Sequence, residues 1–287
     1  MNTPVGILGS GNLATALVPY LLAKGTPVSG IWGRNSDAAR RIAAVNTVFH
    51  ASEPGNLVER SRLLVLAVSD DALADLAGQL ARFDLSGRVI IHASGCLGLD
   101  HLAPATRAGG IAACVHPLMT LSWNADGPNP LEGSPCGVAC PDHRWKRILS
   151  AWLRKAGNPC FPLVNGARPL YHASAVLACA GLAQVFSTAA LELSKGLGIA
   201  VSEARYLLAP LARRTLTMHT AAGAISGTGP WARGDRQTTA LHLAALREEN
   251  SKAAALYEAL MNLAVDEPGN GQMTTSDERR GKHVRPS

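Results

Sequence analysis

The first half of the chain alternates short apolar runs with longer stretches in which apolar residues recur every three or four positions. Val5-Gly6-Ile7-Leu8 is one such run, and residues 27–32, 62–68, 89–93 and 111–115 repeat the pattern. Helical periodicity fills the intervals 12–24, 37–44 and 72–83. Apolar runs alternating with helices predict a parallel sheet buried on both faces. Pro19 falls well inside the first helix and predicts a kink there. Residues 118–133, rich in Gly, Pro and Asn, read as a long loop. A strand over 135–141, a helix through Trp152 and a strand over 160–163 complete this half.

From Arg168 onward the pattern is helical. One long helix is predicted over 169–195, stopped by Gly196 and Gly198. Ser202 is placed as the cap of a second helix, broken or kinked at Pro210 and ending near Gly223. After a loop over 224–234, Asp235 opens a third stretch, interrupted around 249–251 and ending near Ala264. The expected fold is α/β: a doubly wound Rossmann domain at 1–165, an all-helical domain at 166–264 and a disordered tail at 265–287. Residues 173–191 carry no charge and have the length of a membrane span. They are Ala-rich and include Ser174, Gln184, Ser187 and Thr188, so they read as a central helix packed on all sides. The apolar stretch 5–23 follows no basic segment and is interrupted by glycines, which argues against a signal peptide.

Composition narrows the partners. Of 287 residues, 47% are hydrophobic and 17% charged, which excludes disorder for most of the chain. The net charge of +6 is divided between the two halves and absent from the tail, and aromatic residues make up only 5%. With neither a basic stripe nor a stacking platform, nucleic acid is not an expected partner; a membrane is not either. Among six cysteines only Cys136 and Cys140 are close, and on one strand face they would stand about 13 Å apart, too far for a disulfide. Reduced thiols and a cytoplasmic location follow.

Gly9-Ser10-Gly11-Asn12-Leu13-Ala14 lies between the first strand and the first helix. A glycine-rich turn there lets backbone amides approach a pyrophosphate at the helix N-terminus, the signature of a dinucleotide site. An NAD site wants a carboxylate at the end of the second strand. This chain has Gly33-Arg34-Asn35-Ser36 instead, which favours the 2′-phosphate of NADP. Val68 and Ser69 end the third strand at the same edge, with Asp70 expected as the cap of the following helix.

Hydride transfer needs orientation and a proton donor. No lysine sits at a strand end, whereas His116 ends the fifth strand and Tyr171-His172 opens the long helix. His92, inside a strand, reads as structural. Asp235 and His242 share a helix face, either as substrate contacts or as an N-cap and a hydrogen-bonded core residue. The histidines lack metal-ligand spacing, so no metal is expected.

Several motifs together resemble a known family. They are the Gly-Ser-Gly-Asn turn, His92-Ala93-Ser94-Gly95, His116-Pro117-Leu118, Tyr171-His172-Ala173 and Thr228-Gly229-Pro230-Trp231-Ala232-Arg233-Gly234-Asp235 with His242. This set is similar to the Rossmann-like oxidoreductases whose C-terminal half is domain of unknown function 2520, related to NADP-dependent ketopantoate and pyrroline-carboxylate reductases. The resemblance spans residues 1 to about 264. It implies a 6-phosphogluconate-dehydrogenase-like helical domain, a homodimer, and an active site in the interdomain cleft. It also implies an NADPH-dependent reductase of a small anionic carbonyl or imine compound. The residues implied are Ser94, His116, His172, Arg233 and Asp235 for catalysis. Gly9, Ser10, Gly11, Asn12, Leu13, Arg34, Asn35, Ser36, Val68 and Ser69 would bind the cofactor. One departure is Ala180, which stands where family members carry Asn. With that loss and no catalytic lysine, a nucleotide-binding sensor without turnover is the alternative.

Overall fold

A computed structural model describes residues 3–123, 127–222 and 229–266. The predicted tail beyond Asp266 and Thr228 of the last motif lie outside the described residues. By internal contacts the chain divides into two compact units, Met1–Gly181 and Leu182–Ser287.

The first unit is a seven-stranded sheet in the order β2-β1-β3-β4-β5-β6-β7. Its strands are β1 (Val5–Leu8), β2 (Val28–Trp32), β3 (Leu63–Leu66), β4 (Val89–His92), β5 (Ile111–Pro117), β6 (Cys136–Ala139) and β7 (Cys160–Pro162). Strands β1 to β5 are parallel, as the apolar runs predict. The sheet is not parallel throughout: β6 runs antiparallel to β5, and β7 follows β6. The reason lies in the connection. A parallel return needs a crossover, usually a helix, whereas the described residues between β5 and β6 form no helix.

Helices α1 (Asn12–Ala23), α2 (Ser36–Asn46), α3 (Gly55–Arg60), α4 (Asp70–Leu80), α5 (Ala103–Arg107) and α6 (His143–Lys155) join the strands. Helix α1 continues through Pro19 and buries Ala14, Ala16, Val18, Tyr20 and Leu21. The short α3 is invisible to a periodicity search because six residues span under two turns. Two apolar layers result. Ile7, Val18, Ile31, Trp145 and Leu149 belong to one, and Leu8, Leu57, Leu66, Leu80 and Leu102 to the other. Because β2 and β3 flank β1, the chain reverses direction there. The carboxyl ends of β1 and β3 therefore open a crevice of the kind that takes ligands.

The long helix predicted over 169–195 is not one α-helix. α7 (Arg168–Val176) passes into a π-helical segment at Leu177–Gly181, which leads into α8 (Leu182–Leu197). Gly181, a weak helix former, ends the wide turn. The expectation of packing on all sides also fails within one chain. Over its most apolar 18 residues the 165–197 run is only 6% buried, and by length and composition it could cross a membrane.

In the second unit α9 (Val201–Ala222) packs on α8, and α10 (Pro230–Arg233) packs on α11 (Arg236–Glu249) and α12 (Ser251–Asp266). Ser202 lies inside the first turn of α9 and not at its cap, and the helix runs unbroken through Pro210. Asn250, in extended conformation, separates α11 from α12; its side-chain Nδ2 donates to Glu192 of α8 at 2.6 Å.

Candidate functional site

The glycine turn is built as its sequence requires. Gly9 has φ +134°, and a Cβ there would lie 2.0 Å from the Ala67 carbonyl oxygen. Gly33 approaches Ser10 so closely that a Cβ would meet its Oγ at 2.6 Å. Glycine at both positions lets the ends of β1, β2 and β3 converge. Gly11 is the N-cap of α1, and no side chain caps that helix. Its first-turn amides and positive dipole end thus remain available to an anion.

Around this turn lies a cleft of about 510 Å³. Seven residues predicted from sequence line it: Gly9, Ser10, Gly11, Arg34, Asn35, Val68 and Ser69. Asn12 opens α1 and Ser36 opens α2, while Leu13 packs into the core. Asn35 also caps α2 by accepting from the Ala38 amide at 3.0 Å. The sequence reading missed the opposite wall: Trp32, and Asp71, Asp75 and Gln79 of α4. Their spacing of four, polar on an otherwise apolar helix, was the available signal. A dinucleotide fits what is here: an uncapped helix end for its pyrophosphate, Arg34 just past β2, and a cleft of sufficient size.

Asp70 does not cap α4. The helix already includes it, Ser69 stands at the N-cap without a side-chain bond, and Asp70 Oδ2 accepts from Ser94 Oγ at 2.9 Å. Ser94 in turn accepts from the amides of Cys96 (3.2 Å) and Leu97 (2.9 Å). Its hydroxyl therefore organises the turn after β4. That turn carries Gly95, where a Cβ would sit 2.7 Å from His172 Cδ2 and 2.9 Å from His116 Nε2.

Beside it the structure brings His116, Tyr171 and His172 together. His116 Nδ1 lies 2.6 Å from Tyr171 Oη, and the His116 and His172 rings meet edge to face at 6.1 Å. All three line a pocket of about 520 Å³ with Thr120, Ser174 and the π-helical residues Ala178, Cys179 and Ala180. The departure at Ala180 thus falls on this wall. Burial, reinforced by His172 and Arg168, pushes the His116 pKa down to about 4, so its imidazole is neutral near pH 7. Burial raises Tyr171 to about 12, so its phenol stays protonated. Tyr171 was only noted in passing from the sequence; its importance depends on a contact 55 residues away in the chain.

His92 is fully buried, and its Nδ1 accepts from the Ser94 amide at 3.2 Å. Burial, then the charge of Arg168, lowers its pKa to about 4. This is the structural histidine that its strand position suggested.

Arg233 and Asp235 belong to the second unit. Asp235 is the N-cap of α11: it accepts from the Thr238 amide at 3.0 Å and from the Thr238 hydroxyl at 2.8 Å. The first of these bonds holds its carboxyl below the ordinary value. Arg233 ends α10 and is exposed. His242 Nδ1 lies 2.9 Å from Tyr257 Oη. Among the described residues no group of three His, Cys, Asp or Glu side chains is placed to hold a metal.

Residues 2–117 match the model of a Rossmann-like domain, and residues 134–263 match the model of a domain of unknown function, DUF2520. The chain pairs a Rossmann-like domain with a DUF2520 domain. Solved structures share this fold at low identity. Protein BF3122 of Bacteroides fragilis, assigned as an NADP oxidoreductase, is 22% identical with a TM-score of 0.74, over 92% of this chain and 98% of that one. A reductive aminase from Aspergillus terreus, in complex with NADPH and ethyl-5-oxohexanoate, is 18% identical with a TM-score of 0.67, over 95% and 96%. A 1-pyrroline-5-carboxylate reductase from Streptococcus pyogenes is 16% identical with a TM-score of 0.62, over 92% and 98%. No curated protein sequence matches the chain.

Proposed function

We propose that this DUF2520 chain is an NADPH-dependent reductase of small carbonyl or imine compounds. The observation that carries the reading is the coupling, within one sheet domain, of two sites. One is a dinucleotide-sized cleft over an uncapped helix; the other is a pocket where two histidines and a tyrosine converge. The shared fold with a reductive aminase bound to NADPH and a keto ester supports it.

The α1 amides would hold the pyrophosphate between Gly9 and Leu13. Arg34 would pair with the 2′-phosphate, and Asn35, Ser36, Val68 and Ser69 would shape the ribose and nicotinamide ends. When bound, NADPH supplies a hydride to the electrophilic carbon. His116 and Tyr171 hold the matching proton near the carbonyl oxygen or imine nitrogen, and water restores it afterwards. His172 and the Ser94 turn fix the imidazole of His116. In the helical domain Asp235 orients α11, and Arg233 is the proposed partner of a carboxylate on an anionic substrate.

Nucleotide fluorescence titration tests the cofactor half. NADPH should bind about tenfold or more tightly than NADH, and Arg34→Ala should remove the difference. Equal affinities in the wild type would refute the 2′-phosphate assignment. Turnover with a panel of keto acids, keto esters and cyclic imines tests the other half. Tight NADPH binding with no oxidation by any member would make the chain a nucleotide sensor.

We also infer a homodimer in the cytoplasm. Leu170, Val176, Leu177, Leu182, Leu191 and Leu197 are exposed along the 165–197 run, and a second copy of the same helix would bury them. Light scattering should give twice the chain mass. A monomer that floats with vesicles would instead assign the face to a lipid surface.

A further inference from the structure

Arg168 is the most anomalous charge in the sheet domain. It is 1% exposed, and among the described residues no carboxylate lies within ion-pair distance. It stands at the first position of α7, where the helix dipole disfavours a cation. Its Nη1 donates to the Leu97 carbonyl at 2.8 Å and lies 3.5 Å from Cys114 Sγ, while Nε and Nη2 are buried without partners. A buried, unpaired guanidinium costs stability, so packing alone does not account for it.

Its contacts show what it does. Leu97 closes the turn that Ser94 organises, and Cys114 lies two residues before His116 on β5. Tyr171 and His172 follow three and four residues later on the same helix as Arg168. We propose that Arg168 is a positioning residue that ties the start of α7 to the Ser94 turn and to β5, holding His116 and Tyr171 in hydrogen-bonding register. Both contacts come from Nη1 alone, so the tie to the two elements runs through one nitrogen of the guanidinium.

The groups facing His116 act in opposing directions. Arg168 and His172 on α7 disfavour its protonation, whereas Asp70 at the start of α4 favours it. Tyr171 contributes a neutral hydroxyl at 2.6 Å. Arg168 is the permanent cation in this set.

The inference deepens the reductase reading, but its test is read on the protein without nucleotide. Failure of one therefore leaves the other standing. Imidazole resonances of uniformly ¹⁵N-labelled protein, assigned with His116→Asn, give the titration of His116. In the wild type it should stay neutral down to about pH 5, well below an ordinary histidine. Arg168→Met should raise its midpoint, because one of the two cationic groups that disfavour its protonation is gone. Arg168→Lys, which keeps the charge, should leave the midpoint low. An ordinary midpoint in the wild type, or an unchanged one in a folded Arg168→Met, overturns the proposal. Should Arg168→Met fail to fold, Arg168→Gln, which removes the charge but keeps a donor for the Leu97 carbonyl, gives the same reading: a raised midpoint is expected, and an unchanged one overturns the proposal.

Discussion

Lowering the pH from about 7 to about 5 should destabilise the sheet domain by about 4 kcal/mol, and removing one buried imidazole should halve that loss. His92 and His116 each titrate near 4 in the folded protein, against 6.5 for an ordinary histidine. Below 6.5 the unfolded chain therefore binds protons that the folded chain refuses. Stability falls as the pH drops through the window from 6.5 to 4, and above it the two groups contribute nothing. At about pH 5 the difference is about 2 kcal/mol for each group. His92→Asn offers a carboxamide oxygen to the Ser94 amide in place of Nδ1 and cannot titrate. Urea unfolding followed by tryptophan fluorescence reports on this unit through Trp145, which belongs to its core. The variant should lose only about 2 kcal/mol over the same pH range. If His92→Asn is as acid-sensitive as the wild type, the burial argument for His92 is wrong.

Three further outcomes follow from the same geometry. Gly9→Ala places a Cβ 2.0 Å from a backbone oxygen at a positive φ, so it should cost at least about 3 kcal/mol and abolish NADPH binding; chemical denaturation and titration check both. Gly95→Ala must displace His116 and His172. It should cost about 1–3 kcal/mol and lower kcat for a reduced substrate while leaving NADPH affinity unchanged, a split that steady-state kinetics and titration resolve. Tyr171→Phe removes the hydroxyl beside His116 Nδ1; kcat should fall by about tenfold or more at constant NADPH affinity.

The nucleotide cleft was largely legible in the chain because its parts are local. A glycine turn between a strand and a helix has few conformations, and Arg34 follows directly on its strand. Seven of its predicted residues share one lining for that reason. The α4 wall was harder to read: the spacing of Asp71, Asp75 and Gln79 marks one helix face, but only the fold brings that face over the turn.

Local pattern also determined the parallel order of β1 to β5 and the helical second half, since the period of apolar positions depends only on which face is buried. Tertiary structure alone decided the rest. It turned β6 antiparallel, because the described residues between β5 and β6 form no crossover helix and the chain returns beside its own strand. It put a π-helical turn at Leu177–Gly181, inside a run whose composition suits a straight helix. Above all it brought Arg168, Tyr171 and His172 against His92, Ser94 and His116. Contacts across more than fifty residues leave no periodic trace in a sequence. The protonation of those groups depends on burial and neighbouring charge, which exist only once the chain has folded.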